Sequence, residues 1–552
     1  MKYQNYPVEC YDDLKQLFKS SVEKYRKNTA FLQKEAGEYR SYSYGRFYAD
    51  VNGLGAELLT SDLTGKRILL IGENCYLWAV AYMAVVCGGG VVVPLNPALS
   101  ENEAAEIAKF TDSAAVICAD GVCAKFAKAS LTVIPFSDLN EWIRRGKQRI
   151  RGGDRRYLHI DVDANSMCAL MFTSASGIES RGVMLSHRNL CFNVSEMRRM
   201  VLIGEEDVFL SVLPLHHIYE CTCGFLCPLS AGCAVAFSQR LEWIGKDLKE
   251  VRPTVMICIP AIVEGMYRRI WEQICSRGAE GRVRRIIDVT NALPNLNLQL
   301  AAKQKSLAAL HKGFGGRLRL MLSGGSAVSA EAVKGLRDLG IHVLQGYGST
   351  ECAPVMALNR DTLYRDGTVG LSTPNALLDI ADMQEDGIGE IRYRGDSVML
   401  GYFRLPRRTR EVIRGGWYYT GDMGYLDEDG FLHVLGRLQN VITASDGKKI
   451  FPEELEALLR CSAFVKEAVV VPIQQNGEQE PCVTALLYPD MERISERYGD
   501  GVDREQIEIL LRRAVAEVNG SLPDYKRIGA FRLRETEFPK TPTRKIKRAG
   551  LV

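Results

Sequence analysis

The sequence lacks any apolar run long enough to cross a membrane comfortably. Its longest apolar stretch, from Trp78 to Pro94, is interrupted by three glycines at 88–90, which predicts a buried helix, a turn and a strand instead. The first 28 residues are polar and charged, so we expect no secretory signal. A transmembrane anchor is therefore not predicted, whereas peripheral contact with a membrane surface stays open.

The sequence also lacks a strong charge imbalance and any C-x-x-C pair. Seventy Lys and Arg against 67 Asp and Glu give a net charge of +3, which offers no general argument for nucleic acid as a partner. Its 16 cysteines are scattered, and we interpret them as reduced thiols of a cytoplasmic protein. The cluster Cys221, Cys223 and Cys227 has no second pair of ligands, so we do not predict a metal there.

At 552 residues the chain predicts at least two domains. β-rich runs alternate with helical segments, which indicates an α/β fold with parallel sheets covered by helices. We expect a large N-terminal domain over 1–437 and a small, mobile C-terminal α+β domain over 438–552. The predicted elements are strand 66–72, helix 78–87 and strand 90–94, and then helix 301–312, strand 318–322, helix 330–339 and strand 342–345.

A first polar motif spans residues 172–183. The hydroxyls of Thr173, Ser174 and Ser176 alternate with small residues, and Arg181 adds a permanent positive charge. Such a loop can wrap a polyphosphate with backbone N–H and side-chain O–H groups. Taken alone, the motif is more typical of a surface loop.

Glycine-rich motifs follow two later predicted strands: Ser323-Gly324-Gly325-Ser326 and Gly346-Tyr347-Gly348-Ser349-Thr350-Glu351. Ligand sites of parallel sheets lie in such loops at the carboxyl ends of strands. Tyr347 offers a flat face for a purine, and Glu351 is a hard carboxylate suited to Mg²⁺. The alternative interpretation of the second motif is a strand-ending turn with a Thr-Glu cap.

Two further motifs are charged. Asp422, in Thr420-Gly421-Asp422, could accept the hydroxyls of a ribose, and Arg437 could reach the same sugar or a phosphate. A capping aspartate and a surface cation are the alternatives. The segment 539–548 is strongly basic and, by itself, is typical of a solvated tail.

Together, in this order, these motifs resemble the acyl-adenylate-forming superfamily of acyl-CoA synthetases, peptide-synthetase adenylation domains and luciferases. The stretches 213–220, 252–256 and 451–456 are most similar to bacterial long-chain fatty acyl-CoA synthetases. The resemblance implies activation of a carboxylic acid, with a medium- or long-chain fatty acid as the leading candidate. ATP, Mg²⁺ and CoA would convert the acid to acyl-AMP and then to acyl-CoA, with release of AMP and pyrophosphate.

The resemblance also implies residue roles. Lys545 would bridge the substrate carboxylate and the α-phosphate, Glu351 would hold Mg²⁺, and Thr350 would touch the α-phosphate. Asp422 and Arg437 would bind the ribose, His217 would line the acyl site unless it is a packed core histidine, and Gln439 would be the hinge. Gly447 would flank the pantetheine arm of CoA, and Gly325 would also bound the entrance to the acyl site. The remaining ATP-site residues would be Thr173, Ser174, Ser176, Arg181, Gly324, Gly325, Ser326, Gly346, Tyr347 and Gly348.

The first motif departs from the superfamily pattern. Ala175 and Ile178 stand where glycine is usual, and Arg181 stands where lysine is usual. Side chains at glycine positions restrict the backbone, so the loop could be stiffened. We favour an active enzyme because Lys545 and Glu351 are present. Two alternatives stay open: a ligase that loads the pantetheine of an acyl-carrier protein, and a nucleotide-binding pseudoenzyme.

Overall fold

The computed structural model describes residues 4–127, 129–173, 181–238, 240–444, 448–474, 481–499, 501–540, 546–548 and 550–551. By its internal contacts the chain divides into two units. Unit 1 comprises Met1–Leu378 and Tyr393–Tyr418, and unit 2 comprises Asp379–Arg392 and Tyr419–Val552.

The α-helices of the described chain are α1 (Leu14–Tyr25), α2 (Tyr44–Thr60), α3 (Tyr76–Val86), α4 (Glu101–Thr111), α5 (Phe136–Arg151), α6 (His187–Met200), α7 (Cys227–Ala231), α8 (Ile244–Val251), α9 (Pro260–Ser276), α10 (Glu280–Asn291), α11 (Leu296–Ser306), α12 (Ala308–His311), α13 (Ala330–Asp338), α14 (Pro406–Val412), α15 (Pro452–Arg460), α16 (Met491–Tyr498) and α17 (Arg504–Gly520).

The strands are β1 (Thr29–Glu35), β2 (Glu38–Ser43), β3 (Arg67–Ile71), β4 (Val91–Leu95), β5 (Ala115–Cys118), β6 (Thr132–Pro135), β7 (Met167–Phe172), β8 (Gly182–Ser186), β9 (Val208–Ser211), β10 (Ala234–Phe237), β11 (Val255–Cys258), β12 (Leu320–Ser323), β13 (His342–Gly348), β14 (Val355–Leu358), β15 (Leu371–Ser372), β16 (Leu377–Ala381), β17 (Gly389–Arg394), β18 (Gly401–Tyr402), β19 (Ile413–Arg414), β20 (Trp417–Leu426), β21 (Leu432–Arg437), β22 (Ile442–Thr443), β23 (Lys449–Ile450), β24 (Val465–Gln474), β25 (Pro481–Pro489) and β26 (Ala530–Leu533).

Unit 1 contains two large sheets. One has the order β15-β14-β13-β12-β11-β9-β10-β1-β2 and is parallel from β13 to β1. The other has the order β18-β8-β7-β4-β3-β5-β6 and is parallel from β7 to β6. The predicted α/β architecture is confirmed. The outer strands β2, β8, β14, β15 and β18 are antiparallel, which the sequence analysis did not anticipate.

The apolar stretch at 78–94 folds as predicted, as a helix, a turn and a strand. Helix α3 is apolar on all sides, and Trp78 within it is fully buried, as expected for a helix enclosed by protein. Strand β4 is buried along its whole length. Among the described residues, no helix combines the length and apolar character needed to cross a bilayer.

The predicted helix 301–312 is wrong in its boundaries. Helix α11 begins earlier, at Leu296, and ends at Ser306, and a short helix α12 follows. Leu307 separates them with non-helical backbone angles of φ −106° and ψ 25°. Its side chain is buried in the core cluster beside the nine-stranded sheet. Tertiary packing therefore interrupts a helix that local sequence favours.

Unit 2 has its own hydrophobic core. Strands β24, β25 and β26 form a mixed sheet, antiparallel between the first two and parallel between the last two. Apolar residues of α15 and α17, including Leu455 and Leu511, are buried in this core. The expected small C-terminal α+β domain is confirmed, while its predicted bounds of 438–552 stay a prediction. Unit 2 also includes Asp379–Arg392 and residues 419–437. A further sheet has the strand order β16-β17-β20-β19, and β21 pairs with β20. The division between the two units falls within β16, β17 and β20 of this sheet.

Candidate active site

Two of the predicted ligand motifs lie at one edge of the nine-stranded sheet. β12 and β13 are parallel neighbours, with Ser323 opposite Gln345, so the motifs that begin there leave the sheet side by side. The strand β13 continues through Gly348, and the turn begins only at Ser349. Gly346, Tyr347 and Gly348 are therefore strand residues rather than loop residues, because β14 pairs with them.

Close contacts explain two of the glycines. A Cβ on Gly324 would lie 2.8 Å from the ring of Tyr219, whose hydroxyl donates to the carbonyl of Leu322 at 2.9 Å. A Cβ on Gly348 would overlap the carbonyl oxygen of Pro354. Gly325 and Ser326 are exposed. The structure thus brings the two glycine motifs together, while their contact with a nucleotide stays a prediction.

Glu351 lies in a 3₁₀ turn, Thr350–Cys352, directly after these strand residues. It is buried, and its Oε1 accepts a 2.7 Å hydrogen bond from the hydroxyl of Tyr402. Burial and the nearby Glu351 charge raise the pKa of Tyr402 well above its usual value. The tyrosine therefore keeps its proton at neutral pH and acts as a donor to the carboxylate.

The base of the hydroxyl-rich loop is closed by hydrogen bonds between its two ends. Thr173 N donates to Arg181 O at 3.1 Å, and Arg181 N donates to Thr173 Oγ1 at 3.2 Å. These residues extend the antiparallel pair of β7 and β8. Ser174, Ser176, Ala175 and Ile178 lie outside the described residues, so the expected stiffening of the loop stays a prediction.

Arg181 and Glu351 meet at the same tyrosine. The exposed guanidinium of Arg181 lies 5.4 Å from the ring centroid of Tyr402, within the range of a cation–π contact. Backbone hydrogen bonds hold the segment around Tyr402: Met399 N donates to Glu351 O at 2.8 Å, and Phe403 N donates to Gly182 O at 2.8 Å. A cation from the loop base and a buried carboxylate thus lie on two sides of one side chain.

A second buried carboxyl belongs to Glu220, in a π-helical segment Glu220–Leu226. It is fully buried, and Ser211 is a polar neighbour of its carboxyl group. Burial raises the pKa of Glu220 to about 8. The rings of His216 and His217, shortly before it, lie 4.5 Å apart. Whether His217 lines an acyl site stays a prediction.

Unit 2 contains the predicted ribose pair. Asp422 and Arg437 are opposite each other on β20 and β21, and Arg437 Nε lies 2.9 Å from Asp422 Oδ1. The Asp422 side chain is 13% exposed and that of Arg437 is 52% exposed. The pair presents a carboxylate and a guanidinium at one position on the sheet, which suits recognition of a polar sugar.

The other predicted residues of this unit are only partly described. Gln439 is exposed, in a 3₁₀ turn that directly follows Arg437. It lies within unit 2, and its role as the hinge stays a prediction. Gly447 and Lys545 lie outside the described residues. The basic segment is partly neutralised, since Arg548 donates to both carboxylate oxygens of Glu456 at 2.6 Å and Lys540 pairs with Glu537 at 2.8 Å.

Sequence reasoning missed Tyr402 and the carboxyl of Glu220. Tyr402 comes 51 residues after Glu351, and a lone tyrosine near the end of the long domain carries no local signal. Glu220 lies in the quoted stretch 213–220, but its burial depends on tertiary packing.

The residues around Glu351 fit Mg²⁺. A carboxylate oxygen is the hard ligand that this ion prefers, and Mg²⁺ commonly needs only one or two protein carboxylates because waters and substrate phosphates complete its shell. Glu351 can supply that ligand from a position fixed by Tyr402.

The sequence matches the family described as AMP-binding enzyme over residues 18–403 and its C-terminal domain over 439–552. The long-chain-fatty-acid–CoA ligase FadD15 of Mycobacterium bovis is 26% identical over 525 residues, 88% of this chain and 86% of the relative. Two solved structures share the fold. Anthranilate CoA ligase AuaEII with anthranoyl-AMP has a TM-score of 0.75 at 18% identity, covering 98% of this chain and 96% of its own. O-succinylbenzoate CoA synthetase from Bacillus subtilis, in complex with ATP and magnesium, has a TM-score of 0.73 at 19% identity. This match covers 96% of this chain and 98% of the synthetase.

Proposed function

Because this chain belongs to the AMP-binding enzyme family, we propose that it uses ATP to activate a carboxylic acid as acyl-AMP and then transfers the acyl group to CoA. The proposed acid is a medium- or long-chain fatty acid, in line with the name of the mycobacterial relative. That name also favours CoA over a carrier protein as the acceptor. The proposal includes a cytoplasmic location, which rests on the many cysteines.

The observation that carries the proposal is the shared anchoring of Arg181 and Glu351 on Tyr402 in unit 1. A triphosphate needs both a cation near its phosphates and a carboxylate for its metal. Within the glycine motifs, the exposed Gly325 is the position where a ligand could approach the backbone closely. A surface loop or a simple helix cap would not require a buried carboxylate oriented in this way.

In the first half-reaction, a carboxylate oxygen of the acid attacks the α-phosphorus of ATP, and pyrophosphate leaves. We propose that Lys545 bridges the acid and the α-phosphate, and that Thr350 touches the latter. Arg181 would bind the departing phosphates, while Asp422 and Arg437 would hold the ribose. Mg²⁺, held by Glu351, would neutralise phosphate charge when bound. Positioning and charge stabilisation therefore account for most of the catalysis expected from this chain.

In the second half-reaction, the thiolate of CoA attacks the acyl carbonyl carbon, and AMP leaves with the phosphate oxygen of the anhydride. We propose that Gly447 flanks the pantetheine arm and that the backbone turns at Gln439. The proposed domain boundary, after Arg437, is supported by the family matches, which end at residue 403 and resume at 439.

Acid-dependent exchange of labelled pyrophosphate into ATP tests the first half-reaction without CoA. Palmitate should support exchange by the wild-type protein. Glu351→Gln should reduce it strongly, whereas Glu331→Gln, a change at an exposed glutamate, should not. No exchange with any acid from acetate to palmitate or benzoate, alongside measurable ATP binding, would favour the pseudoenzyme alternative.

A further inference from the structure

Two cysteine thiols lie close together at the end of strand β5. Cys118 is the last residue of the strand, and Cys123 belongs to the 3₁₀ turn Asp120–Phe126 that follows. Their Sγ atoms are 2.9 Å apart. Because a disulfide bond is about 2.05 Å long, the sulfurs need to approach by less than about 1 Å to bond.

The turn that carries Cys123 is held in place. The ammonium of Lys125 donates to the carbonyl oxygens of Pro97 and Leu99 at 2.8 and 2.6 Å. Val122 and Phe126 are buried in the core cluster that also contains Cys118. The proximity of the two thiols therefore results from packing and hydrogen bonds on both sides of Cys123.

The two thiols differ in exposure. Cys118 is fully buried, whereas Cys123 is partly exposed. Burial, together with the neighbouring thiol, raises the pKa of Cys118 well above its usual value. Because it is partly exposed, Cys123 is the thiol that a small oxidant reaches first. Cys118 has to lose its proton when it attacks as the second thiol.

We propose that Cys118 and Cys123 are an oxidative modification site that closes to an intramolecular disulfide in the presence of a peroxide. Cys123 attacks one peroxide oxygen and becomes a sulfenic acid, releasing one water. Cys118 then attacks the sulfenic sulfur, and its proton leaves with the hydroxyl as a second water. The balance is two thiols and one hydrogen peroxide to one disulfide and two waters. This modification is separate from the proposed ligase reaction.

The site lies at the same sheet edge as the loop expected to bind phosphate. β5 and β7 belong to the parallel part of the seven-stranded sheet, so their carboxyl ends face the same way. Phe172, at the end of β7, packs against the cluster that contains Cys118. Oxidation would thus add a covalent link within the packing that supports this edge.

Peptide mapping of the full-length protein tests the proposal. Trypsin releases residues 110–125, which contain both cysteines and no others. After treatment with hydrogen peroxide and alkylation under denaturing conditions, this peptide should be two hydrogen atoms lighter and carry no alkyl group. Cleavage before Asp120 should leave its two halves joined until a reductant is added. Double alkylation of the peptide after peroxide treatment would overturn the proposal.

Variants separate the pair from general oxidation. Cys123→Ser changes the partly exposed member and should abolish the two-hydrogen loss, with circular dichroism used to verify the fold. Cys275→Ser, a change at an exposed cysteine, should leave the loss unchanged. Oxidation of Cys123 to a sulfinic acid with Cys118 still reduced in the wild-type protein would also contradict disulfide formation.

Discussion

The hydroxyl of Tyr402 donates a 2.7 Å hydrogen bond to Glu351, 51 residues earlier in the chain. The same ring lies beneath the guanidinium of Arg181. One tyrosine thus orients the carboxylate proposed to hold Mg²⁺ and contacts the cation proposed to bind phosphate. Tyr402 acts through these groups, and we regard it as a positioning residue.

Tyr402→Phe should raise the KM for MgATP by at least about 10-fold, because a hydrogen bond to a charged group contributes about 1.5–3 kcal/mol. The ring beneath Arg181 is retained, so the loss reports on Glu351. The Mg²⁺ concentration for half-maximal activity should rise in parallel. Tyr393→Phe is the matched control, since it removes another buried hydroxyl, bonded to Thr373 and Ser397. Equal effects of both variants on KM would contradict the positioning role.

Arg181→Ala should weaken ATP binding about 10-fold, since it removes a permanent charge from the proposed phosphate site. Arg181→Lys should cost less, because it keeps the charge and loses only the planar contact with Tyr402, worth about 0.5–1 kcal/mol at an exposed position. Calorimetric titration with ATP measures both. Arg144→Ala, at another exposed arginine, is the control, and unchanged ATP affinity in Arg181→Ala would argue against a phosphate contact.

Glu220→Gln should stabilise the protein at alkaline pH. Burial raises the pKa of Glu220 from 4.5 to about 8. Between these two pH values, the folded state therefore retains a proton that the unfolded state has lost. Stability therefore falls as pH rises from 4.5 to 8, by up to about 5 kcal/mol. The neutral amide removes this dependence. The thermal midpoint of the variant should exceed that of wild type at pH 8.5 and approach it at pH 5.

The control for that experiment is Glu331→Gln, which changes an exposed carboxyl. Glu331→Gln should leave the difference between the thermal midpoints at pH 5 and pH 8.5 as it is in the wild-type protein. If the thermal midpoints of Glu220→Gln and wild type changed equally across this pH range, burial would not raise the pKa of Glu220.

Lys545→Ala should abolish pyrophosphate exchange while sparing the transfer of an acyl group from supplied acyl-AMP to CoA. The reason is that a bridging ammonium is needed when the acid meets the α-phosphate and not afterwards. Lys547→Ala, two residues away, is the matched control and should retain both half-reactions. Equal loss of both half-reactions in Lys545→Ala would refute a role confined to adenylation.

Local sequence was sufficient to predict those helices and strands that show a clear hydrophobic pattern or end at glycine. The alternation of buried strands and helices predicted α3, β4, α13 and the parallel sheets, because burial imposes that pattern. It failed at Leu307, where packing of one side chain ends a helix. It also failed at the antiparallel sheet edges, where β18 pairs with β8, a strand distant in sequence.

The candidate site divides in the same way. Glycine and charge motifs selected Gly324, Glu351, Asp422 and Arg437 as candidates. The structure pairs the last two directly, while the ligand-binding roles of all four stay predictions. Tyr402 and the buried Glu220 escaped prediction, because their importance comes from contacts across the fold. The close approach of Cys118 and Cys123 likewise requires the turn that brings them together.

The most direct test is the joint measurement of AMP and acyl-CoA made by the purified protein from ATP, Mg²⁺ and palmitate, with and without CoA. We expect equal amounts of AMP and palmitoyl-CoA when CoA is present, and little of either when CoA or the acid is omitted. ATP binding without AMP formation, for every acid from acetate to palmitate and benzoate, would contradict it.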